Sequence, residues 1–212
     1  GQNQGVIALY LNNPTGIGDQ ASINAIYSEG SQYVQGAYSL PASPDGLRLG
    51  VSGTFLNYKN VSNYASSTGG GYGDAWTAGL SAAYPLVRSQ GTNVNVTANY
   101  DVKSYNNNNM LTLATISAYN INNASLGISG NHYDSFGGGG ISSGSANVVM
   151  GYLDILGSSV AGYGQYTPAS FTKFTVAGNR NQQLSADGKT TAYVALNGQF
   201  SSVNLNSAEQ IY

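Results

Sequence analysis

Residues 93–103 alternate apolar and polar side chains without a break. The apolar members are Val94, Val96, Ala98, Tyr100 and Val102, and the polar members between them are Asn95, Thr97, Asn99, Asp101 and Lys103. A period of two is typical of a β-strand whose two faces meet different surroundings. Most of the polar members are uncharged amides and hydroxyls. The stretch therefore predicts strands in which neither face is the charged surface of an ordinary soluble protein.

The same alternation recurs along the chain and predicts an all-β, antiparallel fold of about ten strands. Residues 21–59 alone contain three strands of about ten residues, joined at Glu29-Gly30-Ser31 and at Pro44-Asp45-Gly46. Proline presets φ and glycine accepts positive φ, so both tripeptides favour tight turns. Strands of this length suit a membrane-spanning β-barrel better than a sandwich, where about five to six residues are usual.

The predicted connections alternate between short and long, as in outer-membrane barrels. Compact turns are predicted near residues 12–20, 41–46, 85–92 and 180–189, and longer connections at 60–74, 104–118 and 156–169. Within these, Pro85 is predicted to begin a turn, and Asn106–Asn109 is predicted to be a polar loop. We expect the short turns at one rim of the barrel and the longer connections at the other.

Charged residues make up only 8% of the 212 residues, against about a quarter in soluble domains. A net charge of −2 gives no electrostatic case for nucleic-acid binding. The uncharged polar face suits a confined, wet barrel interior, and the apolar face would then meet outer-membrane lipid. The residues expected to face lipid are Trp76, Leu80, Val94, Val96, Leu126, Val148, Val194 and Leu196, with Tyr27, Tyr84 and Tyr100 near the membrane interfaces.

Few residues in the sequence could carry catalysis. There is no cysteine for a thiolate metal site, and His132 is the single histidine, which leaves no multi-histidine site or catalytic triad. The glycine tracts at 69–71 and 137–140 lack the Lys-Ser/Thr of a phosphate-binding loop. We therefore expect no catalytic, cofactor or metal residues, and no enzyme.

The candidate functional residues are instead those on the predicted polar faces. We expect them to line the lumen, where they would keep it wet and weakly adhesive to a passing polypeptide. They are Arg48, Ser52, Thr54, Asn95, Thr97, Asn99, Asp101, Lys103, Asn197 and Gln199.

An ordered series of short motifs runs through nearly the whole chain. It comprises Asn13-Pro14, Gly16-Ile17-Gly18-Asp19-Gln20, Tyr27-Ser28-Glu29-Gly30, Ala37-Tyr38-Ser39-Leu40-Pro41, Gly46-Leu47-Arg48-Leu49-Gly50, Tyr84-Pro85-Leu86 and Leu196-Asn197-Gly198-Gln199-Phe200. In this order the motifs resemble the barrel of two-partner secretion transporters. These are the haemolysin-activator type of outer-membrane translocator found in Gram-negative bacteria.

The resemblance implies that residues 1–212 form a single β-barrel region, with about ten strands of a sixteen-stranded barrel. The family's periplasmic POTRA domains, first strand and last strands would lie outside this region. The resemblance further implies location in the outer membrane, contact with its lipid, and passage of an unfolded exoprotein of the haemolysin or adhesin type without catalysis. If the chain were a naturally short form, self-association would also be expected.

A second hypothesis remains open from the residues themselves. Strands rich in Asn, Ser and Gly, with little charge and many tyrosines, could stack into a fibre or a β-solenoid. The protein would then be a secreted structural or adhesive protein with an extracellular location.

The substitution Val96→Lys separates the two hypotheses. In a barrel it places a charge near mid-membrane and should cost about 2–4 kcal/mol, measured as a loss of unfolding free energy in detergent or lipid. A fibre buries the same residue between stacked sheets and should need no detergent at any stage. Filaments from detergent-free protein would contradict the barrel.

Overall fold

The structure, a computed structural model, describes residues 3–60, 70–157, 169–185 and 187–203. These residues form ten strands and one short 3-10 turn, Phe136–Gly138. The strands are β1 Gln4–Asn12, β2 Gln20–Ser28, β3 Ser31–Pro41, β4 Arg48–Lys59, β5 Gly71–Arg88, β6 Thr92–Asn109, β7 Thr115–Asp134, β8 Gly140–Gly157, β9 Ala169–Gln183 and β10 Thr191–Ser201.

The ten strands form one antiparallel sheet in which each strand pairs with the next along the chain. This arrangement confirms the predicted all-β antiparallel class and the strand number. Within the described residues β1 and β10 do not pair with each other, so the sheet is open along these two edges. A sheet in which every hairpin reverses direction is not the stacked, repeating coil that the solenoid hypothesis requires.

Two predicted breaks in strands are wrong. Pro85 lies inside β5, where the register with β6 shifts between Pro85 and Val87. Such a bulge accommodates a residue that cannot donate a ladder hydrogen bond. Asn106–Asn109 is not a loop but the end of β6, with Asn107 opposite Gly73 on β5 and opposite Ser117 on β7.

The connections are consequently shorter than predicted where they can be compared. The connection at 104–118 reduces to the turn at 110–114 between β6 and β7, and β5 begins at Gly71 inside the predicted loop 60–74. Residues 61–69 and 158–168 of the predicted long connections lie outside the described residues. β5, β6, β7 and β8 have 18, 18, 20 and 18 residues, and they are the longest strands of the sheet.

One face of the sheet is apolar and exposed, which inverts the arrangement of a soluble protein. All eight residues expected to face lipid fall on this face through the cross-strand pairs, for example Phe55 with Trp76, Val51 with Leu80, and Leu126 with Val148. Leu126 is 60% exposed and Leu196 is 75% exposed. A face of this kind requires an apolar solvent such as the hydrocarbon of a bilayer.

The apolar band runs obliquely across the strands. Following cross-strand partners from Ile23 on β2, strand by strand, leads to Val102 on β6. Following them from Leu196 on β10 leads to Val94 on β6. Both starting residues lie in the middle of the apolar stretch of their strand. From each strand to the next, the centre of the band thus shifts by about one residue. One residue is roughly 3.4 Å along the strand and neighbouring strands are roughly 4.8 Å apart, so the strands tilt by about 35°. This tilt falls within the range of outer-membrane barrels.

Glycines show which face is concave. A Cβ atom added to Gly151 would collide with the Phe171 ring and the Asn123 side chain, and one added to Gly79 would collide with Asp101. These glycines lie on the face opposite the apolar band, which we call the inward face. On the apolar face, a Cβ atom at Gly36 would meet nothing within 4 Å. Side chains converge on the inside of a curved sheet, so the crowding indicates curvature toward the inward face.

The substitution Gly151→Val tests this curvature. The new side chain must displace Phe171 or Asn123, so we expect a loss of about 1–3 kcal/mol in unfolding free energy, the usual cost of overpacking. The measurement is the urea or thermal midpoint of the detergent-solubilised protein. Gly36→Val adds the same side chain where there is open space and should leave the midpoint nearly unchanged. Equal losses in both variants would contradict the assigned curvature.

Candidate functional site

The ten residues predicted to line a lumen all lie on the inward face. Two rows of cross-strand pairs illustrate this: Ser52 on β4 lies opposite Gly79, which lies opposite Asp101 on β6. Thr97 on β6 is joined through Gly127, Asn147 and Thr175 to Gln199 on β10. The structure therefore brings residues of β4, β6 and β10 onto one surface. That this surface lines a lumen stays a prediction.

Several inward polar residues were not among the predicted set. They sit on the strands between the predicted ones and continue the same rows; they are Ser22, Gln35, Ser81, Ser125, Asn147 and Thr175. Asn99 donates a hydrogen bond from Nδ2 to Ser125 Oγ at 3.1 Å. The alternation of their own strands would have identified them.

Two hollows of about 330 Å³ each lie on the sheet toward the rim of the short turns. One is lined by small side chains of β2 to β5, including Ser22, Ala37, Gly50, Ser52 and Ser81, beside Tyr10. The other is lined by Asn95, Ser129, Asn131, Ser145 and Asn179 on β6 to β9. Hydroxyls and amides both donate and accept hydrogen bonds, so these linings can contact any polar group without selecting a charge.

An apolar cluster interrupts the polar inward face. Ile121, Val149, Leu153 and Phe171, on β7, β8 and β9, are at most 7% exposed and form the buried core of the described residues. Next to them the rings of Tyr105 and Tyr119 stack with centroids 4.9 Å apart. The cluster lies in the half of the inward face away from the short turns. The sequence did not predict it, because only the registers of β7 with β8 and of β8 with β9 bring these residues together.

Arg48, one of the predicted lumen residues, is tied to the short-turn rim. Its Nη1 donates to the Gly18 carbonyl oxygen at 3.1 Å, and its Nη2 donates to Ser39 Oγ at 3.0 Å. These bonds join the start of β4 to the end of β3 and to the turn between β1 and β2. The guanidinium thus has a structural role at the rim beyond any contact with a passing polypeptide.

The turn between β1 and β2 is organised around Asp19, which is fully buried. Its Oδ2 accepts a hydrogen bond from the Tyr38 hydroxyl at 2.9 Å, and its Oδ1 accepts one from the Thr15 amide at 3.2 Å. Burial raises the pKa of Asp19, but these hydrogen bonds outweigh it, so the pKa lies below its ordinary value. The carboxylate is therefore ionised in the folded protein at neutral pH.

A second polar cluster fixes the turn between β7 and β8. The guanidinium of Arg180 on β9 donates to both carboxylate oxygens of Asp134, at 2.7 and 2.9 Å, to Ser142 Oγ at 2.6 Å, and twice to Gln182 Oε1. These bonds use all five N–H donors of the arginine. Gln182 in turn donates to the carbonyl oxygens of Phe136 and Gly139 in the turn. Arg180 consequently has no N–H left for a ligand.

Other features of chemical interest are few. His132 Nδ1 lies 2.7 Å from Thr92 Oγ1 across β6 and β7. Among the described residues no three His, Asp or Glu side chains lie close enough to hold a metal ion. No helix in the described part of the chain is long and apolar enough to cross a membrane.

Comparison with known proteins decides the family. The family model of the haemolysin secretion/activation proteins ShlB/FhaC/HecB matches residues 1–212. The chain belongs to this family. The resemblance drawn from the sequence motifs is thereby confirmed. No curated protein matches the chain.

Two solved structures of similar fold are CdiB proteins. CdiB from Escherichia coli superposes with a TM-score of 0.73 at 17% identity, over 98% of this chain and 39% of its own. CdiB from Acinetobacter baumannii gives a TM-score of 0.63 at 17% identity, over 96% of this chain and 36% of its own. This ShlB/FhaC/HecB family member thus spans under two fifths of either CdiB chain, and it shares their fold.

Family and fold together place the chain in the outer membrane as a β-barrel region. The extracellular location of the fibre hypothesis is thereby wrong. The exposed apolar face and the tilt of the ShlB/FhaC/HecB family member's strands agree with this location.

Asp19 predicts acid sensitivity of the β1–β2 turn. Because its folded pKa is below its unfolded value, it stabilises the fold above the unfolded pKa, and this contribution is lost as pH falls through the folded pKa. Unfolding midpoints measured from pH 7 down to pH 2 should fall more steeply for the wild type than for Asp19→Asn, which cannot titrate. Parallel curves would show that Asp19 contributes nothing through its charge.

Arg180→Lys should weaken the β7–β8 rim even though the charge is kept. Lysine has three donors on a single atom and cannot span both oxygens of Asp134 together with Ser142 and Gln182. We expect a loss of about 1–3 kcal/mol in unfolding free energy and faster cleavage by protease in the 135–139 turn. Lys189→Arg, at an exposed ion pair, is the control and should change neither. Wild-type behaviour of Arg180→Lys would mean that charge alone holds the turn.

Proposed function

We propose that this chain forms part of the wall of a two-partner secretion transporter, through which an unfolded secreted exoprotein crosses the outer membrane without catalysis. The observation that carries the proposal is the inverted polarity of the sheet. Its inward face is rich in Asn, Ser, Thr and Gly, and its outward face is apolar and exposed. Together with the family match, this polarity supports a water-filled interior bounded by lipid.

The chemistry of the inward face suits an unfolded passenger. A hydrogen bond to an uncharged side chain contributes only about 1 kcal/mol net, because water competes for both partners. Such contacts form and break along any polypeptide backbone, whatever its sequence. A wall with many charges would instead retain oppositely charged segments. The role proposed for Asn95, Thr97, Asn99, Asn197 and Gln199 is therefore weak, interchangeable contact with the passing chain.

The two open edges support the proposal that residues 1–212 are one region of a larger barrel of sixteen strands. Unpaired N–H and C=O groups along β1 and β10 cannot face hydrocarbon. Further strands of the same protein would pair with both edges and close the barrel. Pairing with the edges of a second copy is the alternative, and it would appear as an oligomer of constant size in detergent.

Secretion by the full-length transporter tests the assigned lumen. The variant Ser52→Leu/Asn99→Leu/Thr175→Leu makes three inward positions large and apolar, and it should lower exoprotein in the medium by about tenfold, roughly 1.4 kcal/mol of barrier. The matched control Ala82→Leu/Ala98→Leu/Ala124→Leu makes similar changes on the outward face and should secrete normally. Folding of both is checked by the heat-dependent shift of barrel mobility on gels.

The possible outcomes distinguish the lumen assignment, barrel assembly and the transport function. Normal secretion by the folded inward variant would contradict the lumen assignment. An equal loss in the outward variant would show that the effect comes from altered barrel assembly. Absence of both secretion and ion conductance from the full-length wild-type protein would overturn the transport function itself.

A further inference from the structure

The four longest strands continue well beyond the apolar band. A tilted strand crosses the hydrocarbon core with about 9–11 residues, whereas β5 to β8 have 18 to 20. On β6 the outward apolar residues end at Val102, and the strand continues to Asn109. On β7 they end at Ala124, and the strand extends back to Thr115. The excess length lies at the rim away from the short turns.

The outward side of this excess length is rich in amides on β6 and β7, and it is flanked by carboxylates on β5 and β8. We call it the amide patch, and it consists of Asn57, Ser104, Asn106, Asn108, Asn120 and Asn122. Cross-strand pairs connect the members of the patch. Ser104 lies opposite Asn120, and Asn122 lies opposite Val102 at the end of the apolar band. Asp74 on β5 lies between Asn57 on β4 and Asn106 on β6 and pairs with both. It begins where the apolar band ends.

The amides of the patch retain free hydrogen-bonding capacity. No side-chain hydrogen bond joins Asn57, Asn106, Asn120 or Asn122 to another of the described residues, and all four are at least partly exposed. Each amide offers two donors and an acceptor. On the outward face of a membrane barrel, just beyond the hydrocarbon, lipid head groups lie within reach of these side chains alongside water.

The charges around the patch favour binding of the uncharged hydroxyl groups of a lipid head group over its phosphates. The neighbouring outward side chains include two carboxylates, Asp74 and Asp154, and one cation, Lys59. This balance disfavours phosphate, whereas amides and carboxylates both bond well to hydroxyl groups. Trp76 and Tyr152, 42% and 44% exposed, stand at the border between patch and band and offer flat faces to sugar rings.

The rim itself indicates which leaflet meets the patch. The two longest connections, residues 60–70 and 158–168, leave from this rim, and in outer-membrane barrels the longer loops are extracellular. The outer leaflet of that membrane consists of lipopolysaccharide, whose core sugars lie just above the hydrocarbon. We propose that the amide patch binds the saccharide head group of lipopolysaccharide. This inference rests on the outer-membrane location and not on passage of an exoprotein.

The first test compares matched triple variants of the full-length protein. In vesicles of phospholipid with added lipopolysaccharide, the wild type should unfold at a higher temperature than in phospholipid alone. Asn106→Ala/Asn120→Ala/Asn122→Ala should bind lipopolysaccharide about tenfold more weakly, the loss expected when hydrogen bonds worth roughly 1.4 kcal/mol in all are removed. Asn95→Ala/Asn99→Ala/Asn131→Ala makes the same change on the inward face and should respond like the wild type. Equal responses of the two variants would overturn the proposal.

Two further measurements identify the group that is bound. Lipopolysaccharide that keeps its lipid phosphates but lacks core sugars should stabilise the wild type less than the complete molecule does. Equal stabilisation would assign the effect to phosphate or acyl chains and overturn the proposal. A photo-crosslinking amino acid at position 106 or 120 in cells should give adducts that carry lipopolysaccharide. Adducts with a protein instead would make the patch a protein interface, which also overturns the proposal.

Discussion

The structure depends on one constraint, the satisfaction of every backbone N–H and C=O group where no water is present to bond them. In hydrocarbon this constraint leaves a strand no option but a partner on each side. The uninterrupted antiparallel meander from β1 to β10 meets it for eight inner strands. It also explains why Pro85, which cannot donate, coincides with a shift of register, and why β1 and β10 require partners from outside the described sheet.

Side-chain chemistry then follows from the two surroundings that the sheet separates. Outward residues such as Leu80 and Leu126 are more than half exposed, as the prediction that they face lipid requires. Inward residues are mostly uncharged, and glycines stand where the curved face leaves no room for a Cβ atom. At the rim of the short turns, the charged side chains of Asp19, Arg48, Asp134 and Arg180 fix connections. The low charge content of the chain is consistent with a sheet whose outward face is apolar.

Alternation made the fold and the inward residues predictable, and long-range pairing limited what else could be inferred. Thr97 and Asn99 could be assigned a face from their own strand alone, because a period of two needs no knowledge of the neighbours. Asn106–Asn109 was misread as a loop, since asparagine has low β-propensity and only pairing with Gly71–Asp74 reveals the strand. Ile121 on β7 and Phe171 on β9 share the buried apolar cluster although they lie 50 positions apart, and Arg180 lies 46 positions from Asp134. Both features depend on registers that a single sequence does not contain.

Because the strands differ in length, the rim of the sheet opposite the short turns is uneven in height. The turn at residues 29–30 closes β2 and β3 at the level of Tyr58 and Gly73, while β6 and β7 continue past that level to the turn at 110–114. Because the strands tilt, the wall at β6 and β7 extends further beyond the apolar band than the wall at β2 does. In the transporter proposed above, a polypeptide leaving the pore would pass a higher wall at β6 and β7 than at β2 and β3.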